Sequence, residues 1–231
     1  MRQLTLDLSP PSEATFDNFI VGANAQALAA LRAHVALAPS ALPHGCYLWG
    51  EAACGRTHLL TAAVAAAQQN GRGGLYLAAS QIGEAPLPTA PGLLAVDDIH
   101  LLPDAAQVTL FDAYNRAREH GQRLLLAGDA PPLALALREE LRTRVGQCLV
   151  FALHPLRNED RVQLLAQLAR ERGFTLEEAH LRAILTYAAR DLPSLIAFLD
   201  ALDEASLMQG RAVTLPLIHR LLSQSGYGEQ K

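Results

Sequence analysis

The chain has 231 residues, of which 50% are hydrophobic and 18% are charged, and its formal net charge is −4. This length and composition predict a globular protein of one large domain or two smaller ones, and they exclude a disordered chain. The acidic balance gives no general electrostatic attraction to nucleic acid or to an anionic membrane.

The cysteines and the hydropathy pattern bear on localisation. Cys46, Cys54 and Cys148 include no C-x-x-C pair, and an odd number of thiols cannot all be bridged within one chain. No secretion signal stands at the start, and no unbroken apolar span approaches the roughly 20 residues that cross a bilayer. We therefore expect a cytoplasmic protein that does not contact a membrane.

The first twelve residues form a separate segment. Residues 1–8 alternate in polarity, and Ser-Pro-Pro-Ser follows at 9–12. Because proline is excluded from the interior of a sheet, residues 1–12 predict an extended tail outside the main sheet. An edge strand, or a tail whose apolar residues occur by chance, is the alternative.

Short apolar runs separated by helical patterns occupy the next part of the chain. A helical pattern covers residues 25–37, and the apolar runs are residues 46–49, 75–77, 93–96, 124–127 and 149–153. This alternation predicts right-handed βαβ crossovers and an α/β fold with a five-stranded parallel sheet between helices.

The strand signal disappears after Pro155. Helices are predicted at residues 161–172, 176–189, 195–209 and 215–223, with breaks at Gly173, Pro193 and Gly210. The sequence thus predicts an α/β domain over residues 13–154 and a small all-helical domain over residues 155–231.

The first predicted strand is followed by a glycine-bounded phosphate loop, or P-loop. It fits G-x-x-x-x-G-K-[ST], with arginine in place of lysine, and consists of Gly50, Glu51, Ala52, Ala53, Cys54, Gly55, Arg56 and Thr57. In such a loop, backbone N–H groups and the start of the next helix bind phosphate oxygens, and the threonine hydroxyl binds Mg²⁺. A plain glycine turn between a strand and a helix is the alternative.

Two of these loop residues modify the expectation. Arg56 keeps a positive charge but presents a planar fork instead of a compact ammonium, so we expect nucleotide binding with slow turnover. Cys54 is interpreted as a small filler residue, the alternative being a reactive thiol.

The apolar run at 93–96 ends in two carboxylates, Asp97 and Asp98. An all-apolar strand suits a parallel sheet that is covered on both faces, and ligands collect at the carboxyl ends of such strands. Asp97 is predicted to hold Mg²⁺ through water, and Asp98 to orient an attacking water. An N-cap for the next helix is the alternative.

Together these motifs resemble those of AAA+ ATPases, and among them the DnaA family, over residues 15–223. Residues 16–22, FDNFIVG, resemble the segment that wraps the adenine base in that family, which implies base contacts from Ile20 and Val21. Residues 55–59, GRTHL, match its GKTHL segment except at the lysine, which implies that His58 belongs to the nucleotide site. The resemblance implies that the helical domain is the AAA+ lid.

Three further segments extend the resemblance. Residues 128–132, GDAPP, resemble the family's sensor 1, which implies a role for Asp129 near the phosphates. Residues 141–145, LRTRV, resemble L-x-S-R-F and imply an arginine finger at Arg144, with Arg142 as the alternative register. Residues 190–192, RDL, resemble sensor 2 and imply that Arg190 reaches the phosphates. The alternatives are an ordinary surface arginine at 144 and a local ion pair at 190.

Two departures point to one branch of the family. We expect no helix-turn-helix DNA-binding domain like that of the initiator, and residues 3–8, QLTLDL, resemble the peptide that docks on the bacterial sliding clamp. The docking side chains would be Gln3, Leu4, Leu6 and Leu8. With arginine in the P-loop, these features resemble the regulatory inactivators of DnaA, for which such an arginine is normal.

The resemblance implies a bacterial replication regulator that binds ADP (or ATP) with Mg²⁺. It would dock on the DNA-loaded sliding clamp (the β subunit) and stimulate hydrolysis of DnaA-bound ATP, which prevents reinitiation. Its own ATPase would be weak or absent, DNA would be contacted only through the clamp, and a homo-oligomer is possible. Two other functions stay open, namely a helicase loader or protein remodeller on DNA and a single-stranded nucleic-acid-binding module.

Overall fold

A computed structural model describes residues 14–36, 43–88, 92–187, 192–209 and 212–224. The chain divides into two compact units, one of which is Glu13–Pro155 and the other of which contains the residues from Leu156 onward. The first unit is an α/β structure and the second is helical.

The first unit is built on a parallel sheet of five strands in the order β2-β3-β4-β1-β5. These are β1 (Gly45–Trp49), β2 (Gly74–Ala78), β3 (Leu93–Asp97), β4 (Arg123–Gly128) and β5 (Leu149–Ala152). The predicted five-stranded parallel sheet is confirmed.

Helices cover both faces of this sheet. They are α1 (Ala25–Ala36), α2 (Arg56–Gln69), α3 (Asp104–His120) and α4 (Glu139–Gly146). Because side chains alternate along a strand, Leu94 and Leu126 pack toward α3 while Leu93 and Leu125 pack toward α2. All four leucines are buried, which explains why the strands are apolar throughout.

The second unit contains α5 (Asn158–Glu171), α6 (Glu178–Tyr187), α7 (Leu192–Gln209) and α8 (Leu215–Gln224). Its core includes Ile184, Phe198 and Ile218, all of which are buried. Helix α7 includes Pro193 in its first turn, whereas the sequence predicted a start at residue 195. Proline is tolerated there because the first helical N–H groups have no partner within the helix.

The strand order brings three loops together. β3, β4 and β1 are the central strands, so their carboxyl ends lie side by side. Residues 97–98, 128–129 and 50–55 stand at those ends, which places the chemistry at one edge of the sheet. Within the described residues, no helix combines the length and hydropathy needed to span a membrane.

Candidate nucleotide site

The P-loop connects β1 to α2 through two residues with left-handed backbone, Ala53 (φ 61°) and Gly55 (φ 99°). A Cβ atom at position 55 would come within 2.8 Å of the Phe19 ring, so only glycine fits there. Glu51 and Ala52 are exposed, which leaves the backbone of the loop accessible to a ligand. Burial of Cys54 raises the pKa of its thiol, which is protonated at neutral pH.

Asp97 at the end of β3 accepts hydrogen bonds from two hydroxyl groups. Thr57 Oγ1 donates to Asp97 Oδ2 over 2.6 Å, and Tyr76 Oη donates to the same atom over 3.1 Å. The carboxylate is buried, and its Oδ1 accepts a hydrogen bond from the backbone N–H of Asp98. The threonine and aspartate that were predicted to hold Mg²⁺ are therefore in direct contact.

A hydroxyl beside a carboxylate is an oxygen donor set that Mg²⁺ accepts. Among the described residues, no group of three or more His, Cys, Asp or Glu side chains could hold a metal ion. Mg²⁺ commonly binds through one or two protein groups, water and substrate phosphates, so Thr57 and Asp97 fit a Mg²⁺–nucleotide complex.

Tyr76 is a site residue that the sequence analysis missed. It lies in β2, next to β3 in the sheet, and pairs in register with Ala95. Burial and the Asp97 carboxylate raise the pKa of Tyr76 to about 12, so its hydroxyl remains a donor at neutral pH. The sequence signal that could have identified Tyr76 is its position as an aromatic residue near the carboxyl end of the apolar run at 75–77.

Asp98 and Asp129 are two carboxylates of the site that are exposed to solvent. Asp98 has a left-handed backbone (φ 53°), which aspartate tolerates better than most residues, and its side chain is 40% exposed. Asp129 is 54% exposed, and its Oδ1 lies 3.8 Å from His100 Nδ1. The Tyr47 hydroxyl donates to the carbonyl of Ala130, which fixes the segment after β4.

Arg56 is directed at the protein instead of the solvent. Its Nη1 donates to the carbonyl oxygens of Gly50 and Gly128, and its Nη2 lies 3.4 Å from Asp98 Oδ1. The P-loop arginine therefore contacts residues at the carboxyl ends of three different strands.

The segment that resembles an adenine-binding region packs against the start of α2. The His58 ring lies 2.9 Å from the Thr15 carbonyl oxygen and 5.5 Å from the Phe19 ring centroid. Ile20 and Val21, the predicted base contacts, are half-buried. His58 thus fixes the position of this segment relative to the P-loop.

Arg144, the candidate arginine finger, lies on α4. Its guanidinium carbon is 5.7 Å from the Phe111 ring centroid and 6.0 Å from that of Tyr114, and Nη1 donates to Gln147. None of these three residues belongs to the P-loop. The alternative residue Arg142 is on the same helix and is half-buried.

Some of the sequence-predicted site residues lie outside the described part of the chain. They are Gln3, Leu4, Leu6, Leu8 and Arg190.

Two family models match separate parts of the chain. The model of the bacterial DnaA ATPase domain matches residues 11–82, and the model of the Hda lid domain matches residues 158–222. The first match contains the P-loop, and the second covers nearly all of the four-helix unit.

Solved structures share the fold. Domain III of the Thermotoga maritima replication initiation protein DnaA has a TM-score of 0.75 and 21% identity, over 94% of this chain and 98% of that one. AMPPCP-bound DnaA from Aquifex aeolicus has a TM-score of 0.73 and 20% identity, over 87% of this chain and 69% of that one. The Thermotoga maritima RuvB Holliday junction branch migration motor has a TM-score of 0.70 and 16% identity, over 91% of this chain and 72% of that one. These structures have the AAA+ fold in common with this chain.

Proposed function

We propose that this DnaA/Hda-like AAA+ protein limits replication initiation by stimulating hydrolysis of DnaA-bound ATP. It would do so while it carries ADP and is docked on the DNA-loaded sliding clamp. The observation that carries this proposal is the succession of a DnaA-type ATPase segment at 11–82 and an Hda-type lid at 158–222.

The nucleotide part of the proposal is supported by the loop and by its neighbours. The P-loop, in which residues 51–53 are exposed, precedes the positive end of α2, an arrangement that binds phosphate. Thr57 and Asp97, 2.6 Å apart, would hold Mg²⁺, which neutralises charge on the phosphates when it is bound. DnaA from Aquifex aeolicus, which shares the fold, binds the ATP analogue AMPPCP.

The stimulating group in this proposal is Arg144. Its described contacts are with Phe111, Tyr114 and Gln147, so its charge is not used by the protein's own P-loop. The half-buried side chain is held against two rings, which limits the entropy that it would lose on contact with a partner. In the nucleotide site of DnaA, the guanidinium would neutralise charge that develops on the γ-phosphate.

The clamp part of the proposal depends on the sequence of the tail. An extended segment that is bounded by prolines loses little conformational entropy on binding, and Leu4, Leu6 and Leu8 would provide apolar anchors. Gln3 would add hydrogen bonds. This attachment would link inactivation of DnaA to active replication.

The deciding experiment measures turnover of ATP prebound to DnaA, with and without this protein and with and without clamp loaded on DNA. We expect hydrolysis of DnaA-bound ATP to be stimulated only when both this protein and the DNA-loaded clamp are present. Unchanged DnaA turnover, combined with efficient ATP hydrolysis by this protein alone, would overturn the proposal and favour a loader or remodeller.

A further inference from the structure

The hydrogen bonds of Arg56 are those of an internal cross-link. Nη1 donates to the Gly50 carbonyl at 2.8 Å and to the Gly128 carbonyl at 2.5 Å, and Nη2 faces Asp98 Oδ1 at 3.4 Å. Gly50 follows β1, Gly128 ends β4 and Asp98 follows β3. The Arg56 side chain is only 12% exposed, so its contacts with the two carbonyls are largely shielded from water, whereas the Asp98 side chain is 40% exposed.

The geometry of the guanidinium limits what else Arg56 can bind. The group has five N–H donors fixed in one plane, and both protons of Nη1 are used by the two carbonyls. One proton of Nη2 faces Asp98, which leaves only Nε–H and a single Nη2 proton for a ligand. A lysine ammonium carries its three N–H donors on one nitrogen, so it would not span these three acceptors as the planar guanidinium does.

The same contacts affect Asp98. A carboxylate that is paired with a guanidinium has part of its charge and one of its oxygens engaged by that partner. Asp98 is the residue that the sequence predicts to orient an attacking water. Its pairing with Arg56 provides a physical reason for the slow intrinsic turnover that we expect.

We propose that Arg56 is a positioning residue that cross-links the ends of β1, β3 and β4 and holds Asp98, while backbone N–H groups and Thr57 bind the phosphates. This deepens the nucleotide part of the proposed function by assigning the P-loop arginine to the protein framework. In this chain, the cross-link made by Arg56 would take the place of the phosphate contact that a P-loop lysine makes.

The first test compares Arg56→Lys with wild type in two measurements, thermal unfolding without nucleotide and calorimetric titration with Mg²⁺-ADP. We expect the unfolding midpoint to fall by about 4 °C or more, because at least one carbonyl loses its donor. The dissociation constant for ADP should change less than about tenfold, because lysine is the usual residue at this position. Arg138→Ala, an exposed arginine of the same unit, is the control for the midpoint.

The second test is a double-mutant cycle on the midpoint with Arg56→Gln, Asp98→Ala and the combined variant. We expect the combined loss to be smaller than the sum of the single losses, because both variants remove the same ion pair. An unchanged midpoint in Arg56→Lys, a loss of ADP affinity beyond tenfold in that variant, or additive losses in the cycle would each overturn the proposal. These measurements use neither DnaA nor the sliding clamp. They can therefore refute the role of Arg56 while the protein still stimulates DnaA, and the protein can fail to stimulate DnaA while the role of Arg56 holds.

Discussion

The Asn24 side chain forms two hydrogen bonds with the backbone of His154. Asn24 Nδ2 donates to the His154 carbonyl over 2.9 Å, and the His154 N–H donates to Asn24 Oδ1 over 2.8 Å. Asn24 is 2% exposed and follows the segment proposed to contact the base, whereas His154 follows β5. The pair therefore attaches the proposed base-binding segment to the edge of the sheet.

We expect Asn24→Ala to reduce the free energy of unfolding by about 1–3 kcal/mol, since both backbone groups of His154 lose their partner in a partly buried position. Chemical denaturation measures this change. Asn24→Asp keeps the acceptor for the His154 N–H, but it buries a charge and places an oxygen against the His154 carbonyl, so it should not retain wild-type stability. Equal stability of wild type and Asn24→Ala would contradict the assigned role.

Stability should also depend on the ionisation of His34. This side chain of α1 is fully buried, and its Nε2 lies 3.1 Å from the Leu124 carbonyl oxygen. Burial, and then the positive charge of Arg123, lower the pKa of His34 to about 4 from an ordinary 6.5. The unfolded chain consequently takes up a proton between pH 6.5 and pH 4 that the folded chain does not bind.

Lowering the pH from 7 to 5.5 should therefore reduce the free energy of unfolding by about 1 kcal/mol through His34. Denaturation at the two pH values measures the difference, and His34→Gln, which cannot be protonated, should show a smaller decrease. Identical pH dependence in His34→Gln and wild type would refute the prediction.

The hydroxyl of Thr57 is expected to couple nucleotide binding to Mg²⁺. Thr57→Ala removes the group that lies 2.6 Å from Asp97, and we expect ADP affinity in Mg²⁺ to fall about 10- to 100-fold, the range for a lost bond to a charged group. Titration with ADP, with and without Mg²⁺, measures the effect, which should vanish without the metal. Thr61→Ala, one turn along α2, removes a hydroxyl that bonds only to the Thr57 carbonyl and should bind ADP normally.

The sheet could be predicted from the sequence because burial on both faces makes each strand a continuous apolar run. The runs at 46–49 and 93–96 lie inside β1 and β3, and the P-loop and the two carboxylates stand at the expected strand ends. The order of the motifs predicts that Thr57 and Asp97 belong to one Mg²⁺ site, and the structure brings them into contact.

The contacts of Arg56 and Tyr76 could not be predicted in the same way. Arg56 and Gly128 are 72 residues apart, and their contact depends on β4 lying beside β1, an order that no local pattern specifies. Tyr76 reaches Asp97 because β2 is the neighbour of β3. Likewise, the rings beneath Arg144 belong to α3, so the packing of two helices determines how that arginine is held.

The tail is expected to carry the attachment to the sliding clamp. A variant with Gln3→Ala, Leu6→Ala and Leu8→Ala should lose measurable clamp binding, because it removes the glutamine and two of the proposed apolar anchors. Surface plasmon resonance on immobilised clamp measures this loss, with thermal unfolding and ADP affinity as controls that should not change. Clamp binding at wild-type affinity would show that the tail is not the docking peptide.

The stimulation of DnaA is expected to depend on Arg144. Arg144→Ala removes a guanidinium stacked on Phe111 and Tyr114, so a small loss of stability is expected, while ADP and clamp binding should persist. Hydrolysis of DnaA-bound ATP should slow by about a thousandfold relative to the wild-type-stimulated rate, the lower end of the range for arginine fingers. A single-turnover assay with labelled ATP on DnaA measures this.

Arg142→Ala is the matched control, because it removes the same kind of side chain from the same helix two residues away. It should retain most of the stimulation. If Arg142→Ala abolishes stimulation and Arg144→Ala does not, the finger is at position 142 and the register of the LRTRV segment is shifted by two residues. If both single variants stimulate DnaA at the wild-type rate, α4 provides no finger, and the charge that acts on the DnaA nucleotide must come from another residue.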